Sequence, residues 1–441
     1  MGNKFVMIGG GSTQSPGILE VLRKRAEELN LSELVLYDID EERVSLLGQY
    51  TKMYYQELGS KVIVSYTTNI DEALVNADFL FMQIRPGLNK QRAIDEKICL
   101  NNGVVGQETC GLGGFSFAMR VIPAVLEIIR KVKEICPKAW ILNYTNPEAI
   151  LSEAIYREFP DANVLCICDM PISIEGAIAK YFNKDLRDLT FKYFGMNHFG
   201  WWTNIIDEKG TDLLPILRED VLSGKIDTLL QSNDETKEDQ YWIDTYRQMI
   251  SLFKRFPEYF PNCYLQYYLT PDEMIAHDDP SFTRGDYVMQ GREKRIYEEC
   301  RRVIANGSAK DSSLHAGVHG NYIVDIAYAI IHNTRERFTV NKKNQGSIAN
   351  FDPEAVIEVP AYVGSMGAET ITIGHIPTFQ KGLMEMQKAY EKMTVDAALS
   401  GSYQTALEAV MLNKTIPNYT VGKKVLDELH KANKEFWPEL S

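Results

Sequence analysis

The apolar run Lys4-Phe5-Val6-Met7-Ile8 opens directly into Gly9-Gly10-Gly11-Ser12-Thr13, and no other feature narrows the choice of folds as much. A strand that ends in a glycine turn and passes into a helix is the start of a parallel crossover unit. The expected helix carries Ile18, Leu22, Ala26 and Leu29 on one face. Leu34-Val35-Leu36-Tyr37-Asp38 reads as a second strand ending in an acid, and Lys61 to Tyr66, Phe79 to Ile84, Trp140 to Tyr144 and Asn163 to Cys168 as further strands. A long helix is expected from about Phe117 to Cys136. This alternation predicts an α/β fold with a Rossmann-like, doubly wound parallel sheet. From Phe194 onward the alternation gives way to longer helical stretches and aromatic-rich loops, which predicts a mixed α+β C-terminal domain. The expected boundaries are 1–194 and 195–441.

The glycine turn carries the first chemistry. Glycines let backbone approach a pyrophosphate, and a helix N-terminus offers unpaired N–H groups to the anion. Gly9, Gly10, Gly11, Ser12 and Thr13 are therefore candidate dinucleotide contacts, and Asp38 is placed to accept hydrogen bonds from a ribose diol, which favours NAD over NADP. Two departures from the usual pattern stand out: Gln14 occupies the place of the third glycine, and Asp38 lies further along than the usual ~20 residues. Such a turn can also end a strand for steric reasons alone.

Composition excludes several classes. A net charge of −13 argues against non-specific binding to nucleic acid or anionic membranes. Met1 to Val6 lack a signal-peptide core and a myristoylation pattern. No uninterrupted apolar run reaches the roughly 18 residues of a membrane span, so a soluble, cytoplasmic protein is expected. Seven scattered cysteines do not form a disulfide framework.

Three clusters draw attention beyond the dinucleotide turn. Cys166-Ile167-Cys168-Asp169-Met170-Pro171 falls at the carboxyl end of an expected strand, where doubly wound sheets place ligands. A thiolate beside a carboxylate suits a metal ligand next to an acid, although Cys168 as core filler and Asp169 as a helix cap explain the same residues. His198, flanked by glycines and large aromatics in Phe194-Gly195-Met196-Asn197-His198-Phe199-Gly200-Trp201-Trp202, suits a ligand or a hydrogen-bonded core histidine. Gly106-Gln107-Glu108-Thr109-Cys110-Gly111 puts an acid in what reads, by itself, as a flexible loop.

Together with Asn143-Tyr144-Thr145-Asn146-Pro147 and Asn350-Phe351-Asp352-Pro353, these segments resemble glycoside hydrolase family 4, the NAD- and metal-dependent glycosidases, over nearly the whole chain. The tetrapeptide Cys168-Asp169-Met170-Pro171 is similar to the branch acting on 6-phospho-α-glucosides such as maltose 6-phosphate. The resemblance implies a lactate/malate dehydrogenase-like arrangement, with NAD in the first domain and substrate and subunit contacts in the second. It also implies oxidation at C3 of the sugar, elimination across C1 and C2, addition of water and reduction, with NAD recycled. Cys168 and His198 match the family's metal ligands, with manganese favoured by geometry and availability rather than by ligand softness. Asp169 matches the acid that protonates the leaving oxygen, Tyr264 the base, and Glu108 a residue that increases the base's basicity. Tyr267 and Tyr268 lie close enough in sequence to compete with Tyr264. Asn146, Arg92 and Arg284 match sugar-phosphate contacts, although Arg284 could instead pair with Asp286. A homodimer or homotetramer is implied by the family alone. Action on 6-phospho-β-glucosides, a plain hydroxy-acid dehydrogenase and a catalytically dead sensor remain alternatives.

Overall fold

The computed structural model describes residues 2–230, 237–312, 314 and 318–441. Strands β1 (Asn3–Ile8), β2 (Leu31–Tyr37), β3 (Ile63–Thr67), β4 (Phe79–Met82), β5 (Trp140–Asn143) and β6 (Val164–Cys166) pair in parallel in the order β3-β2-β1-β4-β5-β6. The connections are α1 (Ser15–Lys24), α2 (Glu41–Glu57), α3 (Ile70–Leu74), α4 (Leu88–Asn101), α5 (Gly111–Ile135) and α6 (Glu148–Glu158), and α7 (Met170–Tyr181) leaves β6. The chain winds outward in both directions from β1, so β1 and β4 flank the switch point at which such sheets bind ligands.

Period-2 alternation fills both faces of this sheet. Val6, Ile8, Leu80, Met82 and Ile141 pack toward α5, while Phe5, Met7, Leu34, Leu36 and Phe81 pack in the cluster that contains α1, α2 and the helix Val318–His332. Each such side chain contributes about 1.5–3 kcal/mol on burial. Helix α2, which the periodicity did not single out, starts where Asp40 accepts the N–H of Arg43, with Glu41 and Glu42 in its first turn. Helix α5 starts earlier than expected and is long and apolar enough to cross a membrane. However, 78% of its most apolar window is buried inside the protein, and it serves as a core helix.

The sheet does not stop at β6. Strands β7 (Thr190–Met196), β8 (Phe199–Ile206), β9 (Phe260–Pro261), β10 (Glu336–Lys343), β11 (Val356–Gly364) and β12 (Gly367–Thr370) extend it to twelve strands. β10 joins antiparallel to β6 through Asn341 and Cys166, β11 joins β7 through Glu358 and Gly195, and β7 and β8 form a hairpin. The carboxyl ends of β5 and β6 therefore lie beside the tip of that hairpin. The second half of the chain is mixed α+β, as its faded alternation predicts.

Candidate active site

A cleft of about 1140 Å³ runs from the glycine turn to the hairpin tip. At one end Gly9 has φ +82, and a Cβ there would lie 2.1 Å from the carbonyl oxygen of Gln83. A Cβ at Gly11 would lie 2.9 Å from an Asp38 carboxylate oxygen, which accepts the Gly11 N–H at 3.0 Å. Glycine is needed at position 9 because backbone occupies the space, and at position 11 because the Arg43 Cβ and the Asp38 carboxylate occupy it. Asp38 also accepts the Asp40 N–H at 3.1 Å. Burial raises its pKa and these two donors oppose the rise. Tyr297, from the second half of the chain, donates to Gly11 O at 2.8 Å and holds the turn from outside.

At the other end Cys168 lies two residues past β6 and Asp169 directly precedes α7. His198 is the second residue of the two-residue turn between β7 and β8, with φ +61. That conformation is uncommon for a residue with a Cβ and marks a side chain held where it is needed. Cys168 Sγ lies 3.5 Å from His198 Nε2. The Tyr264 ring stacks on the imidazole at 3.9 Å between centroids and lines the cleft, whereas Tyr267 and Tyr268 are buried in the aromatic core behind it. Asp169 is 7% exposed and shares the cleft.

Burial holds His198, Cys168 and Tyr264 toward their neutral forms. Burial lowers the His198 pKa to about 4, against the opposing charges of Glu108 and Asp169. Burial raises the Cys168 thiol, with Asp169 and Glu358 adding to it and the Met170 N–H and Asn197 amide opposing. Burial likewise raises Tyr264, with smaller additions from Cys263, Tyr241, Cys168 and Glu108. A neutral imidazole is the metal-binding form, and a nearby cation reverses the upward pressure on thiol and phenol.

The donor set can be tested against a cation directly. Zinc-type bonds of about 2.3 Å to sulfur and 2.05 Å to nitrogen at a tetrahedral centre put those two atoms about 3.6 Å apart, close to the 3.5 Å seen. Among the described residues no group of three or more His, Cys, Asp or Glu side chains is gathered around one point. A cation placed between Cys168 and His198 would meet these two donors and keep open positions, as a catalytic site requires.

Between the two ends lies a cluster of arginines. Arg92, on α4, places Nε 2.6 Å from Glu96 and Nη1 3.0 Å from Glu108, and Arg85 lies 2.5 Å from Glu108. Burial alone raises the pKa of Glu108, but Arg85 and Arg92 outweigh it and hold Glu108 at about 2. The loop that reads as flexible in sequence is thus pinned in place. Arg284 lies over the rings of Tyr241 and Tyr287 at 3.9 and 4.8 Å. Asp286, the alternative partner weighed for Arg284, pairs instead with Lys97 at 2.8 Å and caps its own helix. Asn146 lines the cleft just after β5, at a cis bond to Pro147.

Twelve of the fourteen candidate residues line one continuous cleft, and Gly10 and Gly11 belong to the turn at its end. The sequence reading passed over Arg85, Arg292, Tyr241 and Glu358. Arg292, displayed on a π-helical turn (Met289–Glu293), lines the cleft, and π turns inside helices often mark functional sites. No local spacing flags these residues.

A dinucleotide-type sheet and the β7–β8 hairpin thus bring a thiol, an imidazole and a carboxyl into one cleft. Residues 4–184 match Family 4 glycosyl hydrolase, and residues 193–416 match the Family 4 glycosyl hydrolase C-terminal domain. The chain belongs to glycosyl hydrolase family 4, a family of glycosidases. It is 44% identical over 437 residues to the 6-phospho-alpha-glucosidase of Leptotrichia buccalis, covering 99% of each chain. The crystal structure of a 6-phospho-alpha-glucosidase from gut microorganisms, in complex with NAD and Mn2+, matches with a TM-score of 0.96 at 40% identity over 100% of both chains. A second structure of such an enzyme, with NAD and glucose-6-phosphate, matches with a TM-score of 0.95 at 40% identity, again over 100% of both chains.

Proposed function

We propose that this protein hydrolyses 6-phospho-α-D-glucosides, maltose 6-phosphate among them, using NAD and a divalent cation, manganese by preference. Bound NAD supplies a reversible oxidation at C3 of the sugar, and a bound cation supplies charge stabilisation at the C2 and C3 oxygens. Gly9, Gly10, Gly11, Ser12, Thr13 and Asp38 hold the dinucleotide, and Cys168 and His198 hold the cation. Tyr264 takes the proton from C2, which C3 oxidation has acidified, and Asp169 gives a proton to the leaving oxygen. Asn146, Arg92 and Arg284 orient the phosphorylated sugar, with guanidinium suited to bidentate phosphate contact. Glu108 adds negative charge near Tyr264, which favours the protonated phenol and makes its anion more basic, while Arg85 and Arg92 limit that effect.

The observation that carries this reading is the 3.5 Å approach of Cys168 Sγ to His198 Nε2 in the same cleft as the glycine turn. We assign the cofactor to the unit 1–194 and substrate and subunit contacts to 195–441, in a cytoplasmic homodimer or homotetramer. The test compares the α- and β-nitrophenyl 6-phosphoglucosides with added NAD and Mn2+. The α substrate is expected to turn over, EDTA to stop the reaction, and no NADH to accumulate. A strong β preference sinks the anomer assignment. Stoichiometric NADH, or indifference to EDTA, points to a plain dehydrogenase instead.

A further inference from the structure

A ligating imidazole must keep its proton on the nitrogen that does not face the cation, so something behind the ring has to choose the tautomer. In this structure His198 Nδ1 lies 3.0 Å from Thr109 Oγ1, and Thr109 Oγ1 lies 2.8 Å from Gln107 Oε1. The orientation of Gln107 is fixed independently. Its oxygen accepts the backbone N–H groups of Thr109 at 2.6 Å and Cys110 at 2.8 Å, a place its amide nitrogen cannot occupy. A threonine hydroxyl has one proton to give. Donated to Gln107 Oε1, the nearest acceptor, it leaves a lone pair that can only receive Nδ1–H from His198. The Nε2 lone pair then faces Cys168.

The support under this relay is stiff. Gln107 and Thr109 are buried, and α5 packs against their loop where a Cβ at Gly113 would lie 2.3 Å from Gly106 O and one at Gly114 2.5 Å from Thr109 O. Glycines at the start of α5 let helix and loop touch backbone to backbone, which leaves Thr109 little freedom to turn away.

We propose that Thr109, oriented by Gln107, is a positioning residue that locks His198 in the Nδ1–H tautomer and so aims Nε2 at the cation. The proposal rests on the assignment of Cys168 and His198 as cation ligands. Thr109→Val keeps the shape and removes the acceptor, and Thr109→Ser keeps the acceptor. Mn2+ affinity is measured directly by electron paramagnetic resonance titration, and the tautomer by proton–nitrogen correlation spectra of the metal-free protein. Thr109→Val and Thr109→Ala are expected to bind Mn2+ about 10- to 100-fold more weakly, with a changed or mixed His198 tautomer and with kcat largely restored at saturating Mn2+. Thr109→Ser is expected to stay close to the parent in all three readouts. Parent-like Mn2+ binding by Thr109→Val, alongside lost binding by Cys168→Ser, overturns the role of Thr109 and leaves the cation ligands standing. Parent-like binding by Cys168→Ser overturns the ligand assignment, and this inference with it. Equal loss in the Ser and Val variants, with the tautomer unmoved, reduces Thr109 to packing and also overturns it.

Discussion

The two ends of the cleft are built in different ways. At the cofactor end the groups are local in sequence, Gly9 to Asp38, and what matters is backbone: glycines that leave room, a strand end and a helix start. At the catalytic end the groups are side chains from residues 92, 108, 146, 168, 169, 198, 264 and 284, gathered by six or more separate segments. The first end depends on one local strand–turn–helix–strand unit, braced from outside by Tyr297. The second depends on a twelve-stranded sheet that brings the β7–β8 hairpin to the end of β6. A substitution at the first end should therefore weaken binding by degrees, and one at the second should remove chemistry outright.

The largest effect is expected at Cys168. Cys168→Ser should lower kcat at least about a thousandfold, the scale of losing a charge-stabilising cation, while NAD still quenches tryptophan fluorescence with unchanged affinity. If catalysis and NAD binding fall together, the two ends are not separable and the comparison fails. Next comes Tyr264→Phe, expected to cost about 10²- to 10⁴-fold in kcat, as for loss of a general base. Tyr267→Phe and Tyr268→Phe should each cost less than about tenfold on the same scale, since neither ring lines the cleft. A larger loss at either of these two would move the base away from Tyr264.

The same contrast decides what could be read before the structure. The β1–α1–β2 unit was legible because its signals, a glycine turn and periodic apolar residues, lie within one short stretch. Cys168 and His198 became a pair only through resemblance to a family, because a parallel strand and an antiparallel hairpin share no spacing rule. Glu108 was flagged without its partners, since Arg85 and Arg92 reach it from another loop and from α4. Thr109 and Gln107 sat inside a quoted motif with no role, because their work consists of hydrogen bonds to residue 198 and to their own backbone. Strand β11 was not anticipated at all. It is buried at nearly every position, but Glu358 and Pro360 interrupt the apolar run by which a central strand would be read.

Asp38 tests the gentler end. Asp38→Ala removes the proposed ribose acceptor and also frees the Gly11 N–H, so NAD affinity should fall about 10- to 100-fold, the cost of charged hydrogen bonds. At saturating NAD, kcat should recover. An unrecovered kcat, measured with enough NAD to fill the site, shows that the glycine turn positions chemistry as well as binding, and narrows the difference between the ends.

The smallest effect concerns what braces the catalytic end. Glu358, on β11, accepts from Tyr193 Oη at 2.6 Å and from Asn197 Nδ2 at 2.8 Å, one residue from His198. Burial raises its pKa from the ordinary 4.5 to about 7, with those donors opposing. Between these values the folded protein holds a proton that the unfolded chain has released, so this group's stabilising contribution is complete below pH 4.5 and fades as pH rises through 7. The full span is about 3 kcal/mol. Glu358→Gln does not titrate. Its amide matches the hairpin donors less well, but that cost is the same at every pH. Melting temperatures of parent and variant, taken from pH 5 to pH 8, should therefore converge toward alkaline pH, by a few degrees at most in a protein of this size. Parallel curves would mean that Glu358 is charged throughout, and that the hairpin carrying His198 rests on a full negative charge rather than on a shared proton.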